Sequence, residues 1–95
     1  MDIKQVLFEL TSKNGVSGDE FSASEYAKTL LSEYLDSEVD AFGNVYGRPK
    51  FFDVEKKTIL LDAHIDEIGM IVTYITDEGF LKVSNCGGLD NRVLL

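Results

Sequence analysis

The residues with the clearest potential for chemistry lie where a short apolar run turns polar, in Leu61–Gly69. The only histidine of the chain, His64, is followed two residues later by Asp66. Residues two apart on an extended chain point to the same side. The imidazole can then bind a metal ion through one nitrogen while the carboxylate fixes its orientation and tautomer. The same spacing more often belongs to a histidine packed and hydrogen-bonded in a core, and spacing alone leaves both interpretations open.

The run that enters this stretch, Thr58–Leu61, predicts a buried strand, because four apolar or β-branched residues in succession are too few for a helix. Ligands of open α/β sheets bind beyond the carboxyl ends of the strands. His64 and Asp66 therefore stand where such a sheet places its chemistry. Glu67 lies next to the pair and is interpreted as structural.

Two amphipathic helices are predicted before this stretch, over residues 2–13 and 19–35, because the apolar residues of each recur on one helical face. The Asn-Gly pair at residues 14–15 would end the first helix. Ser17 and Glu20 have the spacing of a capping box, so Ser17 is predicted to cap the second helix.

Short strands and turns are predicted between the second helix and the apolar run. Glu38–Phe42 alternates polar and apolar residues, which is typical of a half-exposed strand. A turn at residues 43–44 separates it from a second extended segment, Val45-Tyr46. A loop is expected over residues 47–50.

The pattern changes after Gly69, where β-branched and aromatic residues predict a hairpin over residues 70–83. Its turn would be Thr76–Gly79, with Gly79 available for a positive φ. Another turn is expected at residues 85–88, and no helix pattern appears after Ile68. This change places a domain boundary near Gly69.

Composition limits the class of protein and its compartment. The 95 residues leave room for one small domain, and nine basic against seventeen acidic residues give a net charge of −8. This charge argues against nucleic-acid and membrane partners, because both need clustered lysine and arginine. The single cysteine, Cys86, cannot form an internal disulfide and is interpreted as a small apolar filler, which favours a reducing, cytoplasmic location. Residues 1–5 lack the order of a secretory signal, and no apolar run approaches the ~20 residues of a membrane span.

Four stretches of the sequence resemble one known family. The longest, Leu61–Gly69, carries the pattern A-H-x-D-E-[IV]-G, and the others are S-G-x-E at Ser17–Glu20, D-x-x-G-N at Asp40–Asn44 and G-G-x-x at Gly87–Asp90. On these residues the chain resembles the N-terminal part of the glutamyl aminopeptidase family, metallopeptidase family forty-two. Some members of that family form large tetrahedral assemblies, and some have been labelled endoglucanases.

The resemblance implies an α/β fold in two parts. Residues 1–69 would be the N-terminal part of a mixed-sheet α/β/α di-zinc aminopeptidase domain. Residues 70–95 would be the start of an inserted all-β, barrel-like domain. Family members are several times longer, and this chain stops on the apolar run Arg92–Leu95, so we expect an N-terminal fragment.

The resemblance also implies a chemistry. Family members hold two divalent metal ions, zinc or cobalt, with two histidines and several carboxylates, and use a separate glutamate as general base. Only His64 matches a metal ligand here, and Asp66 matches the residue that orients it; the others are expected beyond Leu95. The implied function is removal of N-terminal residues from peptide substrates by metal-activated water attack, in a protein that forms homo-oligomers. The chain alone is expected to be inactive, because catalytic zinc usually takes three protein ligands.

Two other functions remain as alternatives. A glycoside hydrolase (endoglucanase) needs two carboxylates that flank a sugar bond and no metal; the acidic residues are numerous enough, but no pair is marked by its spacing. A non-catalytic assembly module would use the hairpin after Gly69, whose unpaired edges favour association. His64 and Asp66 would then be a core pair.

Overall fold

The computed structural model describes residues 2–94 and combines helices with antiparallel strands, in agreement with the predicted α/β class. The elements in chain order are α1 (Ile3–Thr11), α2 (Phe21–Ser32), β1 (Leu35–Val39), β2 (Val45–Pro49), β3 (Gly69–Ile75), β4 (Leu81–Cys86) and a 3₁₀ helix (Asn91–Val93). The strands form two separate two-stranded sheets, β1-β2 and β3-β4. Neither α1 nor α2 is long and apolar enough to cross a bilayer. Leu95, the last residue of the segment expected to begin an inserted domain, lies outside the described residues.

Helix α1 confirms the first predicted helix, which ends two residues earlier than predicted, at Thr11. It begins after Asp2, whose carboxylate accepts a hydrogen bond from the backbone N–H of Lys4 at 3.0 Å. Such a cap satisfies one of the free N–H groups of the first turn. Helix α1 contacts α2 through the hydroxyl of Tyr26, which donates to the carboxylate of Glu9.

Helix α2 is also confirmed, but the predicted capping box at its start is wrong. The helix begins at Phe21, and its N-cap, Glu20, makes no side-chain capping bond. The hydroxyl of Ser17 donates to the carboxylate of Asp66 instead. The physical reason is the positive φ of Gly18, +94°, which inserts a turn between Ser17 and the helix. Ser17 therefore lies too far from the first helical N–H groups to cap them.

The small core lies where α2 packs on the β1-β2 hairpin. Ala23 and Ser24 of α2 are buried, and the hydroxyl of Ser24 donates to the backbone carbonyl of Gly43 at 2.7 Å. This bond satisfies a polar group that burial has removed from water. One buried hydroxyl therefore fastens the helix to the hairpin turn.

The β1-β2 hairpin is shifted toward the N-terminus relative to the prediction. The strand predicted over residues 38–42 is wrong in position, since the chain turns at Asp40 and Val39 pairs with Val45. The carboxylate of Asp40 accepts from the backbone N–H groups of Phe42 and Asn44, at 2.8 and 2.9 Å, and from the Asn44 side-chain amide at 2.9 Å. These bonds form the turn directly after Val39, three residues before the predicted end of the strand at Phe42. The hydrogen bond from the Asn44 side-chain amide is the main reason that the pKa of Asp40 is below its usual value.

The prediction of a loop over residues 47–50 is also wrong. Strand β2 continues through Pro49, which pairs with Leu35 at the start of β1. The local Gly-Arg-Pro sequence has turn character, but pairing with a complete partner strand overrides it.

The β3-β4 hairpin confirms the predicted strands and turn. Gly79 has φ +87°, and its N–H donates to the carbonyl of Thr76 at 2.9 Å. The register slips between Val72 and Tyr74, which leaves Thr73 as an extra residue in β3. The turn predicted at residues 85–88 begins later, because β4 includes Cys86 as a half-buried free thiol.

The predicted buried strand Thr58–Leu61 is wrong. Residues 57–66 belong to no helix or strand, and the side chains of Ile59, Leu60 and Leu61 are 83–91% exposed. A strand needs a neighbour to satisfy its backbone groups. No strand among residues 2–94 pairs with this run, so its apolar residues remain in solvent.

We predict that Ser24→Ala lowers the free energy of unfolding by about 0.5–1.5 kcal/mol, because it removes the hydrogen bond to the half-buried carbonyl of Gly43. Urea unfolding followed by circular dichroism measures this. The matched control is Ser22→Ala, at an exposed position of the same helix, which should change stability little. Equal unfolding midpoints for Ser24→Ala and the wild type would contradict the assigned role.

Candidate functional site

The predicted pair His64 and Asp66 is in contact. The Nδ1 atom of His64 lies 3.3 Å from Oδ1 of Asp66 and 3.2 Å from its backbone carbonyl oxygen. Both oxygens are acceptors, so the network assigns the proton of the neutral imidazole to Nδ1. The lone pair is then on Nε2, and the imidazole is 88% exposed. The ring is thus not packed in a core, and its contacts with Asp66 leave the Nε2 lone pair unused.

Asp66 uses its two carboxylate oxygens for two different partners. Oδ1 faces His64, and Oδ2 accepts a hydrogen bond from the hydroxyl of Ser17. The Ser17 hydroxyl, and after it His64, hold the pKa of Asp66 below its usual value. The carboxylate is therefore ionised at neutral pH and available as an acceptor for the Nδ1 proton.

Ser17 reaches Asp66 because its loop is hydrogen-bonded to Glu67. The N–H of Glu67 donates to the carbonyl of Gly15 at 2.7 Å, and the N–H of Ser17 donates to the carbonyl of Glu67 at 3.2 Å. The side chain of Glu67 accepts from the N–H of Gly15 at 3.3 Å. We call these three bonds the loop bridge. In this part of the molecule Glu67 holds two segments together, which agrees with its interpretation as structural.

The loop also packs against the first residue of β3. A Cβ atom added to Gly69 would lie 2.7 and 2.9 Å from the two methyl carbons of Val16. Carbon atoms in contact normally stay 3.5–4.0 Å apart. Gly69 is therefore needed for the close approach of Val16, which has a parallel bridge to Glu67.

An open groove of about 750 Å³ runs beside the pair. One wall is apolar and comes from α2 and the first hairpin, including Ala27, Leu31 and Tyr46. The other wall is the segment that carries His64 and Asp66. The site is thus accessible to molecules larger than water.

The described residues supply one candidate metal ligand with its orienting carboxylate. Residues 2–94 contain no group of three or more His, Cys, Asp or Glu side chains arranged to hold a metal ion. The donor set therefore fits part of a metal site: a histidine with a free Nε2 lone pair and a carboxylate at Nδ1. The predicted pair is brought together as expected, and the structure adds Ser17.

The sequence predicts Ser17 as a helix cap, whereas its hydroxyl contacts Asp66 in the structure. Its S-G-x-E context has a complete local explanation as a capping box, and its contact with Asp66 spans 49 positions of the chain. The sequence feature that could have indicated this role of Ser17 is the S-G-x-E motif, which the chain shares with the family that it resembles.

Comparisons with known proteins agree with the resemblance. The family model described as M42 glutamyl aminopeptidase matches residues 43–95. One relative is a protein of Acetivibrio thermocellus that is named as a candidate aminopeptidase. It is 39% identical over 89 residues, which cover 93% of this chain and 26% of that protein. A protein of Escherichia coli (strain K12), named in the same way, is 32% identical over 90% of this chain and 23% of its own length.

A third relative is the lysyl aminopeptidase of Pyrococcus furiosus. It is 28% identical over 93 residues, which is 96% of this chain and 26% of that protein. The chain spans about a quarter of the length of the curated relatives that it matches.

We predict that Gly69→Ala destabilises the chain by about 1–3 kcal/mol, the usual cost of overpacking, because the new methyl group would overlap Val16. Gly88→Ala is the control, since no atom lies within 4 Å of a Cβ added there. Adding Val16→Ala should recover part of the loss, and a double-mutant cycle of unfolding free energies measures the coupling. Equal losses for Gly69→Ala and Gly88→Ala would show that Val16 does not restrict this position.

Proposed function

This chain belongs to the M42 glutamyl aminopeptidase family, and we propose that it forms part of a di-metal aminopeptidase that removes N-terminal residues from peptides. The observation that carries the proposal is the geometry of His64. Its Nδ1 proton faces Asp66, within the region that the family model matches, and Nε2 is left as a ligand nitrogen. The activity belongs to the whole enzyme, of which these residues supply one ligand.

Two divalent ions, zinc or cobalt, would polarise the scissile carbonyl and lower the pKa of a water molecule. The residues of this chain have two tasks in that mechanism. His64 would hold one ion through Nε2, since imidazole is a suitable ligand for either metal. Asp66 would accept a hydrogen bond from Nδ1–H, which would keep the ring in the ligating tautomer and raise its basicity. The remaining ligands and the general base would come from other residues of the enzyme.

We also propose that the two parts of the chain belong to two domains. Residues 1–69 would contribute to a mixed-sheet α/β/α catalytic domain, and residues 70–95 would begin an inserted all-β domain. Both α-helices precede Gly69, and the antiparallel hairpin β3-β4 begins at that residue, which supports this boundary.

The alternatives gain no support. The three relatives described above carry aminopeptidase names, which favours a peptidase over a glycoside hydrolase. An assembly module would bury His64 and Asp66 as a core pair, whereas the imidazole is largely exposed. A cytoplasmic homo-oligomer with peptide substrates is part of the proposal, and the net charge of −8 disfavours nucleic-acid partners.

We predict about two zinc or cobalt ions per chain in the full-length enzyme, as in other two-metal sites. Activity should be lost on chelation and restored by metal. His64→Ala should reduce metal content, and Asp66→Asn should weaken metal affinity about 10- to 100-fold, the usual effect of losing an orienting partner. Elemental analysis and competition with a chelating dye measure these changes.

The control for that experiment is Asp62→Asn, an exposed carboxylate of the same segment that is given no role at the metal. It should leave metal content unchanged. A metal-free wild-type enzyme whose peptidase activity ignores the chelator would overturn the proposal.

We predict that the 95 residues by themselves do not hydrolyse aminoacyl-p-nitroanilides, even with added zinc or cobalt. The reason is that catalytic zinc usually takes three protein ligands, and no such cluster occurs among residues 2–94. Steady-state assays of the purified chain test this. Hydrolysis that disappears in the His64→Ala variant would contradict the prediction, since a contaminating peptidase would be unaffected by that substitution.

A further inference from the structure

We propose that Ser17 is a positioning residue of the metal site, acting on His64 through Asp66. The inference rests on the proposed function for its metal-binding part. Its structural part is the hydrogen-bonded series from the Ser17 hydroxyl to the Asp66 carboxylate to the Nδ1 atom of His64. The loop after α1 would thereby take part in the site, although it carries no metal ligand.

The two bonds of the series use opposite oxygens of one carboxylate. Ser17 donates to Oδ2, and the imidazole contacts Oδ1. With both oxygens engaged, the carboxylate plane has a defined orientation. Loss of the Ser17 donor would leave Asp66 free to rotate and to exchange its contact with His64 for water.

Because Asp66 and His64 are both exposed, the hydrogen bond from Ser17 to Asp66 is important for their orientation. The Asp66 side chain is 43% exposed and that of His64 is 88% exposed, and contacts between exposed charged or polar groups are individually weak. The segment of residues 57–66 has no helix or strand to fix it. A donor held from another part of the fold therefore restricts Asp66 more than the imidazole alone can.

The local explanation for Ser17 does not hold in this fold. A serine three residues before a glutamate is expected to cap a helix. Here α2 begins at Phe21, and the side chain of Glu20 accepts from the N–H of Gly18 rather than completing a capping box. The hydroxyl of Ser17 is thus committed to Asp66 and not to the helix.

The loop bridge keeps the backbone of Ser17 in place independently of its hydroxyl. The N–H of Ser17 donates to the carbonyl of Glu67, and Gly15 exchanges two further bonds with Glu67. Ser17→Ala therefore removes one hydrogen bond to Asp66 and leaves the connection between the two segments. This separates a positioning role from a general effect on folding.

The test compares Ser17→Ala and Ser17→Thr with the wild-type full-length enzyme. Zinc and cobalt affinities are measured by competition with a chelating dye, and the visible absorption of the cobalt form reports the ligand geometry. Because loss of a direct orienting partner costs about 10- to 100-fold in affinity, loss of a group one bond further away should cost about 3- to 10-fold. Ser17→Thr retains a hydroxyl and should restore most of the affinity.

Ser32→Ala is the matched control, because that hydroxyl bonds only to the carbonyl of Lys28 in its own helix. It should leave metal affinity and the cobalt spectrum unchanged. Urea unfolding of all variants shows whether each is folded under the assay conditions. Folded Ser17→Ala enzyme with wild-type metal affinity and an unaltered cobalt spectrum would overturn the positioning role.

A metal-independent measurement separates this inference from the proposed function. ¹⁵N NMR of the imidazole of His64 in the metal-free protein reports which ring nitrogen carries the proton. Ser17→Ala should reduce the fraction protonated at Nδ1, whereas Ser32→Ala should not. A changed tautomer in a protein that binds no metal would support the positioning role and overturn the metal function. An unchanged tautomer, with unchanged metal affinity, would overturn the positioning role alone.

Discussion

The loop bridge between residues 15–17 and Glu67 determines where the chemically important side chains lie. His64 belongs to a segment without regular secondary structure, so its position depends on what holds the end of that segment. Two of the three bonds are between backbone groups, which makes the connection largely independent of side-chain identity. Gly69 lets Val16 approach the start of β3, so the same loop is also held by packing. Ser17 and Asp66 are 49 positions apart in the chain, and the loop bridge brings Ser17 next to Asp66 and His64.

Packing contributes less to this site than directional bonds do. The buried side chains Ala23 and Ser24 belong to α2, and neither lines the groove beside His64. Around the pair, exposure is high and order comes from hydrogen bonds whose donors and acceptors are fixed by the fold. Such a site can be well oriented without a large core, provided that each member has a defined partner. The division of the Asp66 carboxylate between Ser17 and His64 meets that condition.

The features that the sequence predicts correctly are those with local causes. Both helices follow from the spacing of their apolar residues, and the turn at Gly79 follows from its freedom to adopt a positive φ. The contact of His64 with Asp66 follows from a spacing of two residues. Two of the errors involve distant partners. The hydroxyl of Ser17 donates to a distant carboxylate and not to the helix, and Thr58–Leu61 lacks a neighbouring strand among the described residues. No local pattern states which distant partner a side chain will find.

The exposed run Ile59–Leu61 has a consequence for the behaviour of this chain in concentrated solution. Short segments that are apolar, rich in β-forming residues and without proline are the ones that stack into cross-β aggregates. Here Lys56 and Lys57 precede the run and Asp62 follows it. Charges at these positions oppose in-register stacking, because identical neighbours would repel one another. The charged residues on both sides of the run therefore act as gatekeepers against such stacking.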